Sequence, residues 1–332
     1  MSEKAYFNGP FAPMCEAFVA QKRACGLDYS QQAMLLRMFD NFCKDFEIKE
    51  YTVTEEVALA WAQLRPNEKD VTRYGRVSEM QRFSEYLRKQ GYQSYLCPEL
   101  PRFSHTHVPY IFSKDEMHRI FARLESLEAV SGAPFRALAL TLLFRILYGC
   151  GLRISEALDI QKGDVDLENG TLHIRHGKNG NERIVPMSST LTAECSKFML
   201  AAHKNTVAST PFIYAKGHKR YSNSYIGKLF RGILWDVGIP YRGKDYGPRL
   251  HDIRHTFACH NIQAWAESGV SIYSNLLVLS RYLGHTSISA TQWYLHLTAQ
   301  VYPHIQDVCE KELGGMYAPF ELDVESEASC NE

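Results

Sequence analysis

The sequence predicts a mainly α fold with one small β-hairpin, divided into two domains. Three observations carry this. Apolar residues recur at helical spacing through most of the chain. The clearest β signal is a single one, TLHIRH and ERIVPM flanking the Asn-Gly turn GKNGN. Between a helical first hundred residues and the rest lies LCPELPRFSHTHVPYIF, rich in proline and poor in periodic apolar positions, which reads as a linker. At 332 residues and 45% hydrophobic content, the chain can bury two cores.

The first domain, 1–104, reads as four short amphipathic helices forming a small bundle. FAPMCEAFVAQKRACG keeps helical spacing and stops at Gly26. Asp28 is the expected N-cap of YSQQAMLLRMFDNFCKDF, and VTEEVALAWAQL opens with acids in its first turn. A fourth helix, about 69–90, alternates Arg73, Arg76, Arg82, Arg88 and Lys89 with Val77, Met80, Phe83 and Leu87, and ends at Gly91. In the second domain, 105–315, Ser113 and Glu116 have capping-box spacing and open MHRIFARLESL. Beyond the hairpin, helices are expected at about 190–203, 221–237, 250–266, 272–282 and 287–297. Residues 316–332 are polar and acidic, the composition of a disordered tail.

The zero net charge hides an asymmetry. Residues 101–315 hold 24 Lys and Arg against 18 Asp and Glu, whereas 316–332 hold none against 5. Lys216, Lys219, Arg220, Lys228 and Arg231 belong to the most basic stretch, 214–254, which permits a polyanion partner. No run of about 18 apolar residues occurs and the N-terminus lacks signal-peptide order, so no membrane association is expected. Nine singly spaced cysteines, an odd number without CxxC, point to reduced thiols in a cytoplasmic protein.

Basic groups of the second domain recur in a fixed order. In YGCGLRISEAL a helix ends at Gly149 and Gly151, Arg153 follows, and Ser155 and Glu156 open a short helix. HGKNGN puts Lys178 at the hairpin tip. HDIRH sets His251 and Arg254 three apart on one helix face. YLGHTSISATQWYLHLT places His285 on a glycine-marked turn and Tyr294 nine residues later, with Tyr282 and Tyr302 as alternative phenols. R-I-S-E, a hairpin lysine, H-x-x-R-H, L-G-H and a tyrosine together resemble the tyrosine recombinases, the phage-integrase family, over about residues 12–310. The closing segment resembles that of recombinases carried by bacterial mobile elements.

The resemblance implies a two-domain C-shaped clamp around double-stranded DNA: a helical core-binding domain and a mixed α/β catalytic domain. It implies a catalytic set of Arg153, Lys178, His251, Arg254, His285 and Tyr294, with Glu156 supporting Arg153 and a neighbouring histidine. Two guanidinium groups can fork onto the nonbridging oxygens of a scissile phosphate while histidines add donors. Tyr294 would attack, Lys178 would protonate the leaving 5′ oxygen, and a 3′-phosphotyrosyl link would conserve the bond without metal, nucleotide or other cofactor. Arg73 and Arg76 on one side, and Lys216, Lys219, Arg220, Lys228 and Arg231 on the other, would contact DNA, mostly at phosphates. Paired recombination sites imply a homotetramer in the synaptic complex, monomer or dimer in free solution, with PHIQDVCEKELGG at about 303–315 as the docking helix.

Two alternatives belong beside this one. The fold could serve a DNA-binding protein that has lost activity. HDIRH also resembles the zinc motif HExxH, with His251 and His255 as ligands; but Asp252 is shorter than Glu, Arg254 repels a metal, and only His260 is near as a third ligand. The chain departs from compact family members in two ways, the longer segment between Trp265 and His285 and the acidic tail; with the helical bundle beginning almost at once, no extra N-terminal arm-binding domain of the kind some phage integrases carry is expected.

Overall fold

The computed structural model describes residues 6–96, 108–128, 130–175, 177, 182–241, 243, 247–285 and 287–297. The chain divides into two compact units, Met1–Thr106 and His107–Glu332. Both carry helices where the apolar spacing calls for them, with small antiparallel sheets in the second unit only, among the described residues.

Unit 1 packs α1 (Ala12–Ala24), α2 (Ser30–Phe42), α3 (Glu55–Ala62) and α4 (Asp70–Lys89) around an aromatic core of Phe11, Phe18, Phe39, Trp61 and Phe83. The buried Asp40 carboxylate accepts the N–H groups of Gly9 (2.7 Å) and Phe11 (2.9 Å) and so fixes the entry to α1. Thr54 caps α3 by accepting the Val57 N–H. At α2 the N-cap is not Asp28 but Tyr29, in the left-handed region at φ 54°, with no side-chain cap; the Asp28 carboxylate instead takes the Ser30 hydroxyl.

Arg76, expected to face DNA, is inside this unit. It lies on the stripe it shares with Met80, Phe83 and Leu87, and only 2% of its side chain is exposed. It pairs with Glu68 at 2.7 Å, donates to the carbonyls of Trp61 and Gln63, and lies over the Trp61 ring. Its cation is consumed in tying the α3–α4 connection to the core. Arg73 is half-buried, with Nε donating to Ala62 O at 2.6 Å.

Unit 2 is organised on α6 (Arg136–Cys150), buried along most of its length between α5 (Lys114–Glu125) and later helices. Ser113 and Glu116 form the expected capping box at α5. The α6 helix stops at Gly151, in the left-handed region at φ +58°, where a Cβ would approach Leu283 Cδ2 to 2.9 Å. Then come α7 (Ile154–Asp159) and a three-stranded antiparallel sheet, β1 (Val165–Asp166), β2 (Thr171–Ile174) and β3 (Arg183–Pro186), ordered β1-β2-β3. The hairpin expected from the sequence is β2–β3, with Leu172 opposite Val185; β1 adds the third strand.

Next are α8 (Ser189–Ala202), the two-residue strands β4 (Tyr214–Ala215) and β5 (Lys219–Arg220), and α9 (Asn223–Asp236). The last three helices, α10 (Asp252–Glu267), α11 (Ile272–Leu283) and α12 (Ser289–Leu297), bury Ala258, Ile262, Leu276, Leu279, Leu283 and Tyr294 together. The long segment after Trp265 is thus a turn at Gly269 (φ +69°) leading into α11, itself ended by Gly284 at φ +70°. Among the described residues, no helix is long and apolar enough to cross a membrane.

Candidate active site

The site grows from two helix ends. Arg153 occupies the N-cap position of α7 in an extended conformation, which turns its side chain back onto the first helical turn. Its backbone N–H donates to Glu156 Oε2 (3.0 Å) and its Nη1 to Oε1 (2.7 Å). Glu156 is 1% exposed and holds more than the single arginine expected. Arg183, on β3, forks onto both its oxygens at 3.2 and 2.8 Å, and Arg254 lies 3.9 Å away. Burial works against its charge, but the hydrogen bonds and charge of Arg183 outweigh that, helped by Arg153. The carboxyl is held down at about 2.

Arg254 is a buried cation, 2% exposed. Its Nη1 donates to Gly151 O (2.8 Å) and its Nη2 to Leu283 O (2.7 Å), the terminal carbonyls of α6 and α11. Helix C-termini carry partial negative charge, so the two ends stabilise the guanidinium where side-chain anions are few. Burial and the nearby Arg153 lower its pKa to about 10, which still leaves it charged near neutral pH.

Tyr294 reaches this cluster from α12. Its hydroxyl lies 3.2 Å from His255 Nδ1, and its ring is stacked near His285 with centroids 6.1 Å apart. Burial raises its pKa, while the charge and hydrogen bond of Arg254 pull it back down without cancelling the rise. His285 follows Gly284, and its Nδ1 is 2.7 Å from the buried Thr291 hydroxyl. Burial first, then Arg254, Arg153 and Arg183, lower its pKa to about 4, so its ring is neutral at pH 7. In the tautomer in which Thr291 donates to Nδ1, Nε2 carries the proton and is a donor.

His251 is exposed at the start of α10, its ring 4.8 Å from that of His255 and nearly perpendicular to it. Asp252 accepts the Arg249 N–H at 2.8 Å and so closes the turn that leads into α10. Among the described residues, no three His, Cys, Asp or Glu side chains form a group that could hold a metal ion.

Of the expected catalytic residues, Arg153, Arg254, His285 and Tyr294 share one electrostatic neighbourhood with Glu156. His251 lies at its edge, its ring against that of His255 and its charge acting on His285, and Lys178 is outside the described residues. Tyr282 is turned away: its hydroxyl donates to Pro186 O (2.8 Å), and burial pushes its pKa far up. Tyr302 and the 303–315 segment are also outside the described residues. Of the residues expected at DNA in unit 2, Lys216, Lys219, Lys228 and Arg231 are exposed, while Arg220 is paired with Asp159.

Two contributors escaped the sequence reading. In the sequence His255 stands out only as a candidate zinc ligand, yet it contacts the phenol. Arg183 belongs to none of the motifs, although strand alternation puts it on the face of the buried Val185, opposite the 67%-exposed Ile184.

The phage integrase family model matches residues 111–301, more than half of the chain, and the chain belongs to that family of DNA strand-transferring enzymes. A protein of Sinorhizobium fredii (strain NBRC 101917 / NGR234) named as an integrase/recombinase, y4rB, is 32% identical over 253 residues, covering 73% of this chain and 79% of its own. Among solved structures, the XerH site-specific recombinase bound to palindromic difH substrate, a post-cleavage complex, matches with TM-score 0.60 at 19% identity, over 85% of this chain and 79% of that one. The Tn1549 transposon integrase in complex with transposon right-end DNA matches with TM-score 0.59 at 14% identity, over 85% and 94%. At such identities the structural matches bear on the fold.

Proposed function

We propose that the chain cuts and rejoins duplex DNA through a 3′-phosphotyrosyl intermediate on Tyr294. The observation that carries this is the placement of the Tyr294 hydroxyl beside Arg254 and His255, within the cluster that Glu156 assembles. A scissile phosphate is an anion whose transition state gathers more charge on its nonbridging oxygens. Arg153 and Arg254 would receive those oxygens, and the neutral His285 would donate to one of them. His251, exposed at the rim, adds a further donor. Preorganised donors of this kind are each worth about 3–4 kcal/mol of barrier. Tyr294 Oη bonds to phosphorus as the bond to O5′ breaks; the phenolic proton leaves toward His255, and Lys178 protonates the departing 5′ oxygen. Return attack by a 5′ hydroxyl reverses the step, so neither metal nor nucleotide enters.

Duplex DNA with paired recombination sites would be bound through phosphates by Lys216, Lys219, Lys228 and Arg231, with Arg73 the remaining candidate in unit 1. A homotetramer would assemble on two sites, from monomers or dimers in free solution. The resemblance of the closing segment, YLGHTSISATQWYLHLT, to recombinases of bacterial mobile elements favours integration and excision of such an element, acting in the cytoplasm. Unpaired thiols at Cys15, Cys43, Cys150, Cys195 and Cys259 fit a reducing compartment.

The burial of Tyr294, 2% exposed, favours a second reading in which the chain binds DNA without cutting it. A pool of nicked duplexes with randomised sequence around the nick separates the two. Strand transfer predicts a covalent protein–DNA adduct with the wild-type chain and none with Tyr294→Phe, at equal binding. Binding alone predicts no adduct with either.

A further inference from the structure

We propose that Arg183 is a positioning residue for strand transfer: it clamps the Glu156 carboxylate to the end of α11, so that Arg153, Arg254 and His285 are aligned before DNA arrives. The inference rests on the functional reading above and deepens it. Arg183 is 11% exposed, and its three nitrogens are turned inward. Nη1 and Nη2 take the two Glu156 oxygens, and Nε donates to Tyr282 O at 2.9 Å. All three nitrogens, and three of the five N–H donors, are committed to Glu156 and to the end of α11, so the influence of Arg183 passes through the groups it holds.

Those groups are the site's frame. Tyr282 O and Leu283 O are successive carbonyls at the end of α11, one held by Arg183 and the next by Arg254. Both arginines lean on the same carboxylate, which also fixes Arg153. His285 follows immediately. The turn before it is shaped to admit Arg183: a Cβ on Gly284 would come within 2.9 Å of Arg183 Nη1, and φ +70° disfavours a side chain there in any case. The Tyr282 hydroxyl on Pro186 O provides a second tie between β3 and α11. Without Arg183 the carboxylate would keep Arg153 and Arg254 but lose the guanidinium that forks onto both its oxygens and its link to the turn.

The charged groups facing Glu156 are Arg153 from its own helix, Arg183 from β3 and Arg254 from α10; Asp159, His173 and Arg175 line the small cleft beside it. With Arg183 gone, burial would be opposed only by Arg153 and Arg254, and the Glu156 carboxyl would hold its proton to higher pH than in the wild type. Arg183 also helps keep His285 neutral, so the origin of any new titration must be separated between these two groups.

The experiment is single-turnover cleavage of nicked duplexes selected by the wild-type protein from the randomised pool, measured across pH with full-length chains. Arg183→Met is expected to cleave about 10–100-fold more slowly at neutral pH, the range typical for partners that orient a reacting group from outside. Its binding should stay within about threefold, and it should gain an acidic limb absent from the wild type. That limb should vanish in Arg183→Met/Glu156→Gln, and the two substitutions should be far from additive. Arg183→Lys, which keeps the charge but not the fork, should recover part of the rate, and it replaces Arg183→Met in every comparison if the latter does not fold. Absence of adduct from the wild-type protein would overturn the functional reading itself. Adduct from the wild type, with the substituted chain matching it in rate and pH profile, would overturn only the role of Arg183; a limb that survives Glu156→Gln would assign it to His285 and overturn the route through Glu156.

Discussion

Replacing Glu156 by Gln removes the carboxylate that faces Arg153, Arg183 and Arg254, while keeping shape and volume. In the folded chain its carboxyl titrates at about 2 instead of the ordinary 4.5. At about 1.4 kcal/mol per pH unit, that depression corresponds to about 3 kcal/mol of stability. The size agrees with the general cost of stranding buried charges by removing one partner, about 3–5 kcal/mol. A depressed acid stabilises the fold above its unfolded pKa, and the contribution fades as pH falls through the folded value. The gap between wild type and Glu156→Gln should therefore be constant from neutral pH down to about 5 and shrink between about 4.5 and 2. Urea denaturation at several pH values, following unit 2 by the fluorescence of Trp235, Trp265 and Trp293 in a Trp61→Phe background, measures it. A gap under about 1 kcal/mol at pH 7, or one unchanged down to pH 3, would refute the claim that the carboxylate neutralises the arginines.

Other expectations follow from the same geometry. Arg76→Ala should destabilise unit 1 by about 3 kcal/mol, because it strands Glu68 and uncovers Trp61, and should leave the salt dependence of DNA binding unchanged in any variant population that remains folded. Lys228→Ala and Arg231→Ala should do the reverse: no loss in thermal melting, but each lowers the slope of log affinity against log salt by about 0.9 if it meets a phosphate. The His285 imidazole, followed by NMR, should titrate near 4 in the free protein and move upward when DNA brings an anion to the site. Since the unfolded chain binds this proton at about 6.5, His285 costs stability as pH falls from about 6.5 toward 4. A free-protein inflection above 6 would contradict the crowding of arginines around it.

The helices were legible because their apolar residues repeat with the helical period and because Ser113 sits before its acid at capping distance. Asp28 misled, since a cap depends on backbone conformation as well as residue type, and Tyr29 took the left-handed position. The strands β1, β4 and β5 are two residues each, too short for alternation to show. In the site, Arg153, Arg254, His285 and Tyr294 were readable as a set because motif order carries across the chain even where each residue alone is ordinary. Arg76 was misread, although its spacing to Met80 and Phe83 already put it on the buried stripe. Arg183 was missed because it lies outside any motif; a charge on the inward face of a strand was the signal available. How Arg254 is held could not be read at all, since its acceptors are backbone carbonyls of two helix ends brought together only by folding.

The central claim is that the phenol of Tyr294, set among these cations, is the atom that takes the DNA strand. Wild-type protein trapped on the nicked pool can be digested with nuclease and protease and the modified peptide sequenced by mass spectrometry. A nucleotide joined through its 3′ phosphate to Tyr294, with a free 5′ hydroxyl on the released strand, is the result expected. A nucleotide carried by Tyr282 or any other residue, or joined through a 5′ phosphate, would contradict it.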